Sequence, residues 1–217
     1  KNEGTLLASL LKAMKDVEIP KAPEGLSDSA AQMQQYLYYK KHYFDNIDFT
    51  DYRLIRTPVL ENKIETYFKR AVPFIPDSIL HEADALIKKT IIKNPTKSSK
   101  EMTKYLLNYF FNKYNDTKIM CMDKIFVYIV EKYYIDPWRV YLYNKQNNKP
   151  LFENVPAGAH WAYSDSTFMN KLYDRYYKMK GCLCDQEAIP LSLPDSTGKI
   201  ISIYSTNSKY TVLYFWD

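Results

Sequence analysis

Apolar residues return every three or four positions through most of this chain, and prolines or capping side chains interrupt them about once per helix length. That spacing is the pattern of amphipathic helices, which bury one stripe and wet the other. Glycine scarcity points the same way. The 217 residues include 5 glycines, and an all-β sandwich or barrel needs tight turns that glycine serves best. A hydrophobic fraction of 46% is ample for a packed core and excludes a disordered chain. The length admits one large domain or two small ones.

Leu6, Leu7, Leu10, Leu11 and Met14 predict a first helix over Thr5 to Lys15. Ile19 to Gly25, with Pro20 and Pro23, reads as an extended connector. A second helix is expected from about Ser29 to Phe44, capped by Ser27, Asp28 or Ser29. Thr57-Pro58 reads as a cap followed by proline at the first helical position, with Leu60, Ile64, Tyr67 and Phe68 on one face. Pro76 opens the next helix, and Asn94-Pro95 stops it. Ser98-Ser99-Lys100-Glu101 fits a capping box. The helix that follows it is expected to bury Met102, Tyr105, Leu106, Tyr109 and Phe110. Ile119 to Ile135 predicts another, with Met122, Ile125, Phe126, Ile129, Val130 and Tyr133 inward. Asn144 to Pro150 reads as a polar loop, and a last helix runs from Ser164 or Asp165 to Lys180, stopped by Gly181. Short links between helices imply antiparallel packing in a bundle or array, and no fixed repeat period is present.

After Gly181 the pattern changes. Leu191 and Leu193 alternate with polar or proline positions, Asp195-Ser196-Thr197-Gly198 has turn chemistry, and Ile201 and Ile203 flank Ser202. The final run Tyr210 to Trp216 is apolar and β-rich, as in a strand buried on both faces. A boundary is placed near Gly181 to Glu187. It gives a helical domain of unassigned function over 1–181 and a β-rich part over 182–217. Alternatively, the β-rich part completes the helical domain's own fold.

The β-rich part resembles the opening of a thioredoxin-like domain of the secreted TlpA/ResA and AhpC/TSA class. Ala188, Asp195, Gly198, Lys199, Phe215 and Trp216 match that opening, while Ile189 stands where the class has proline and Asp185 where it often has glycine. Phe44 to Phe49, Arg56-Thr57-Pro58 and Ile75-Pro76-Asp77-Ser78 are similar to a helical domain that precedes the thioredoxin-like domain in one subgroup. The resemblance implies a mainly α chain: a helical bundle, then a β-hairpin and the first strand of an incomplete thioredoxin-like α/β domain. It implies a thiol–disulfide oxidoreductase, exported to the periplasm or held at the outer membrane as a lipoprotein, with an anchor upstream of Lys1. The redox Cys-x-x-Cys would follow Asp217, so this stretch alone is expected to be inactive. Partners would be protein or small-molecule thiols and disulfides, and a homodimer stays open. No cofactor is implied.

Among the residues themselves, Cys182 and Cys184 form Cys-x-Cys and are the redox candidates. A bond between them would close a small, strained, easily reduced ring. They lack the Cys-x-x-Cys spacing at a helix start that lowers a thiol pKa. The pair is expected to be dispensable to the fold. Cys121, between Met120 and Met122, reads as a core residue, and the three cysteines do not suggest a disulfide framework. A zinc site would need four ligands, and only weak candidates such as His160 exist, so no metal is expected. His42, His81 and His160 are far apart and read as surface or satisfied core residues. The formal net charge of +5 is modest, and lysines alternate with acids along helical stretches. Tyr36 to Phe44 interleaves tyrosine and lysine, but helical packing explains it better than nucleic-acid binding. Two non-enzymatic readings stay open: a helical module that binds a peptide, glycan or protein, and a purely structural role in dimerisation or spacing.

Overall fold

A computed structural model of the chain describes residues 4–91, 96–156, 158–184, 186–187, 190–205, 208–212 and 214. The molecule is mainly helical, with a small two-stranded antiparallel sheet near its C-terminus. Local chemistry sets most helix starts. In α1 (Leu6–Met14) the Thr5 hydroxyl accepts from the Ala8 N–H, and in α2 (Asp28–His42) the Ser27 hydroxyl accepts from the Ala30 N–H. Prolines 58 and 76 take the first positions of α3 (Pro58–Arg70) and α4 (Pro76–Thr90), where a missing N–H costs nothing. Thr57 does not cap with its side chain; its hydroxyl donates back to the Leu54 carbonyl at 2.7 Å.

The next helix corrects the expected capping box. α5 (Lys97–Tyr114) starts two residues before Ser99, because the Thr96 hydroxyl accepts from the Ser99 N–H at 3.2 Å. Ser98 is thereby freed for a longer reach: its hydroxyl donates to the Thr50 carbonyl and accepts from the Tyr52 N–H. Met102, Leu106 and Phe110 are buried as expected, but Tyr105 and Tyr109 are only partly so. The predicted stop at Asn94-Pro95 lies outside the described residues.

The helix expected over Ile119 to Ile135 is shorter at one end and longer at the other. Residues 119–122 form a bend and turn, and α6 begins at Asp123. The six residues predicted to point inward, from Met122 to Tyr133, are all buried. Beyond Val130 the chain widens into one π turn (Glu131–Ile135) and continues as α7 (Asp136–Gln146), straight through Pro137. Proline has no N–H to give the carbonyl four residues back, here that of Tyr133. A π turn is a common way to absorb that defect. The stranded Tyr133 oxygen is served from elsewhere: the Ala159 N–H donates to it at 2.8 Å and the Tyr163 hydroxyl at 3.4 Å. The polar stretch expected as loop from Asn144 is helical to Gln146. Asn144 itself is buried, and its amide donates to the Leu151 and Glu153 carbonyls.

α8 (Ser166–Lys180) starts at Asp165, whose carboxylate accepts from the Phe168 N–H. α6 is the centre of the bundle, with α4, α5 and α8 all packed against it. α1 lies on α3 and on a 3-10 turn (Tyr52–Arg56). There Asp51 accepts two hydrogen bonds from the Arg53 guanidinium, each 2.7 Å, and one from the Ser9 hydroxyl. An aromatic chain of Tyr43, Phe44, Tyr67, Phe68 and Phe110 joins α3 to α5 through edge-on and tilted contacts.

β1 (Ser192–Pro194) and β2 (Ile200–Ser202) pair with Leu193 opposite Ile201. The loop follows the predicted chemistry. Asp195 accepts from the Thr197 hydroxyl and from the Thr197 and Lys199 N–H groups, and Gly198 takes φ +84°. The strand expected over Tyr210 to Trp216 differs. Tyr210, Thr211, Val212 and Tyr214 lie outside any strand, with Val212 90% exposed. A two-sided strand needs flanking strands, and the described residues supply none beyond the hairpin. Ala188, Ile189, Asp185, Phe215 and Trp216, which carry part of the resemblance, lie outside the described residues.

Candidate functional site

The cysteines are arranged differently from their sequence reading. Cys184 is bonded to Cys121, 63 residues away, with Cα atoms 5.4 Å apart; Cys182 is free and exposed. Cys121 is therefore a bridge sulfur in the α5–α6 turn and not a core residue. That turn holds it at φ +65° with its side chain half-buried. The extended apolar run Ile119 to Met122 disguised this turn as helix, although Ile119 and Met120 are both exposed. Cys184 arrives at the turn because α8 ends at Gly181 and Leu183 packs on the core. Cys184 is thus brought to Cys121, while Cys182 stays free two residues before it, and the two candidates are not bonded to each other. The bridge crosses the proposed boundary between the helical and β-rich parts.

The histidines each have a local partner. The His42 Nδ1 lies 2.6 Å from Asp45, the His81 Nδ1 3.5 Å from Glu82, and the His160 Nε2–H donates to the Pro156 carbonyl at 2.8 Å. Among the described residues no three His, Cys, Asp or Glu side chains gather as metal ligands. No described helix is long and apolar enough to cross a membrane.

Three carboxylates, Asp84 buried and Glu82 and Glu131 partly buried, are committed to ion pairs between helices. Asp84 accepts from Lys132 at 2.6 Å, from Tyr133 at 2.8 Å and from Lys88 at 2.7 Å. Burial opposes its ionisation, but the hydrogen bonds from Lys132, Lys88 and Tyr133 outweigh it and hold its pKa at about 2. Glu131 lies between Lys180 and Tyr176, and Glu82 between Lys40 and Tyr67. Burial works against the ionised form of both, and their lysine and tyrosine partners win, so both pKa values fall. Such carboxylates brace helices; as ionised, paired groups they have no proton to give at neutral pH. Apart from Lys88, one helical turn along α4 from Asp84, every partner comes from another element, so sequence periodicity carried little signal for them.

A half-enclosed cavity of about 520 Å³ opens between the end of α4, the first turns of α5, Phe152 and residues 158–161. Thr90 and Thr103 lie at its base, hydrogen-bonded to each other. Phe152 stacks on His160 at one side, and the Lys104 ammonium stands 5.7 Å above the Trp161 ring. Flat rings beside lysines suit a ligand with a planar or apolar face and acceptor groups. Sequence reading missed this pocket, because its walls come from separate stretches of the chain, near Thr90, near Ser99 and near Trp161.

Residues 3–156 match the family model described as Domain of unknown function (DUF5106), which covers most of the helical bundle, and the chain belongs to that family. No curated protein and no solved structure matches the chain.

Proposed function

We propose that this chain is the helical, partner-positioning portion of an exported thiol–disulfide oxidoreductase. The carrying observation is the hairpin: Asp195, Gly198 and Lys199 make the tight loop that the resemblance to the oxidoreductase opening calls for. Two further features support the reading. Leu193 and Ile201 are more than two-fifths exposed, so the ribbon offers an apolar face to a further layer of structure. A disulfide is also chemically suited to an oxidising compartment. The chemistry itself is assigned to a Cys-x-x-Cys following Asp217. A second reading, a non-enzymatic binding module, draws on the pocket beside Trp161 and Phe152.

The test is to read the coding sequence after Asp217 and assay the full-length protein for dithiothreitol-driven reduction of insulin. The proposal expects a Cys-x-x-Cys within a few residues and activity that its serine variants lose. A stop codon, or full activity in those variants, refutes it and leaves the binding module.

A further inference from the structure

The three cysteines stand in a relation that the bridge alone does not explain. The Cys121–Cys184 bond is half-exposed, and an exposed free thiol, Cys182, sits two residues from one of its sulfurs. Leu183, between them, packs on the core, so the segment that carries both sulfurs is held at the α5–α6 turn. A thiol tethered two residues from a disulfide sulfur meets that bond at high local concentration. Disulfides between residues two apart are strained and readily reduced.

We propose that Cys121, Cys182 and Cys184 form a thiol–disulfide exchange site, in which Cys182 displaces Cys121 from Cys184 and an external dithiol then reduces the exchanged bond. In the first step Cys182 gives its proton to solvent and its sulfur attacks the Cys184 sulfur. The Cys182–Cys184 bond forms, the Cys121–Cys184 bond breaks, and Cys121 leaves as a thiolate and takes up a proton. No electrons are gained or lost. In the second step the dithiol gives two electrons and two protons, becoming a disulfide and leaving Cys182 and Cys184 as thiols. The structural consequence is a release. The bridge ties the segment leaving α8 to the α5–α6 turn, and after exchange Cys184 is bonded only to its own neighbour. The lead-in to the hairpin is then no longer cross-linked to the α5–α6 turn. This inference takes its external dithiol from the proposed redox function, but the exchange is a property of these three residues alone.

The experiment uses the chain as described. It is incubated at pH 8 with dithiothreitol below stoichiometry, quenched in acid, alkylated and mapped by mass spectrometry under non-reducing conditions. The wild type is expected to give two forms, Cys121–Cys184 with alkylated Cys182 and Cys182–Cys184 with alkylated Cys121. Cys182→Ser, which keeps the native bridge, is expected to give only the first and to lose its bridge to excess dithiothreitol at least about fivefold more slowly. A wild-type map holding only Cys121–Cys184, a Cys121–Cys182 bond in place of Cys182–Cys184, or equal reduction rates in the two proteins would overturn the proposal. Because no residue after Asp217 takes part, a negative result leaves the oxidoreductase reading standing, and a missing Cys-x-x-Cys leaves the exchange standing.

Discussion

Gly158 lies against the backbone of Tyr133 so closely that a β-carbon on it would overlap the Tyr133 carbonyl oxygen. The approach is what allows the next N–H, that of Ala159, to reach the carbonyl stranded by Pro137. One defect in a central helix thus anchors residues 158–163, and with them the His160 and Trp161 side of the pocket.

Gly158→Ala is expected to push that segment away and cost about 2 kcal/mol, the range for overpacking against backbone that cannot yield. Urea unfolding followed by circular dichroism measures it. Trp161 fluorescence should shift as its packing on Tyr134 loosens. A loss below about 0.5 kcal/mol would mean that the loop relaxes freely and does not depend on the π turn.

The bridge closes a loop of more than sixty residues, so its removal should matter more than expected for a cysteine pair in a linker. Cys121→Ser with Cys184→Ser is expected to lose about 2–4 kcal/mol, whereas Cys182→Ser should change stability by less than about 0.5 kcal/mol. Denaturant midpoints with unchanged slopes would report this directly. Equal losses in the two variants would place the native bond at Cys182.

Acid should unfold the bundle partly through Asp84 and Asp51. The hydrogen bonds from the Arg53 side chain hold the Asp51 carboxyl at about 2, and Asp84 reaches the same value through its lysines and Tyr133. Both folded values lie below the ordinary 3.8. The stability they contribute is therefore complete above about pH 4 and is lost as pH falls toward 2. Asp84→Asn should cost roughly 2 kcal/mol at pH 7, since it leaves Lys132 and Lys88 without their carboxylate. It should also flatten the fall in melting temperature between pH 4 and 2. An unchanged acid limb in the variant would remove Asp84 from this account.

Hydrogen exchange should separate the two parts of the chain. The helices α5 and α6 carry buried faces and should exchange slowest, while the amides of 208–212, outside any described strand, should exchange within seconds to minutes. A protein truncated after Lys180 should keep its helical circular dichroism and a cooperative melt, at a lower temperature because it lacks Cys184. A molten product would show that the hairpin part completes the bundle's core.

The sequence by itself determined most of the helical segments and where most of those begin. The 3.6-residue period, the hydroxyl of Ser27, the prolines at 58 and 76 and the carboxylate of Asp165 act on neighbours within one turn, so they are legible in linear order. The hairpin loop was legible for the same reason, since Asp195 bonds only to residues two to four positions ahead. Tertiary structure decided what depends on distant partners. α7 passes through Pro137 because Ala159 takes over the orphaned carbonyl, Asn144 is buried because Leu151 and Glu153 receive its amide, and Asp84 is ionised because Lys132 and Tyr133 arrive from nearly fifty residues away. The cysteine pairing belongs with these. Proximity along the chain favoured Cys182 and Cys184, but the packing of α8 on α6 brings Cys184 to Cys121, and a disulfide forms where three-dimensional geometry places two sulfurs in reach.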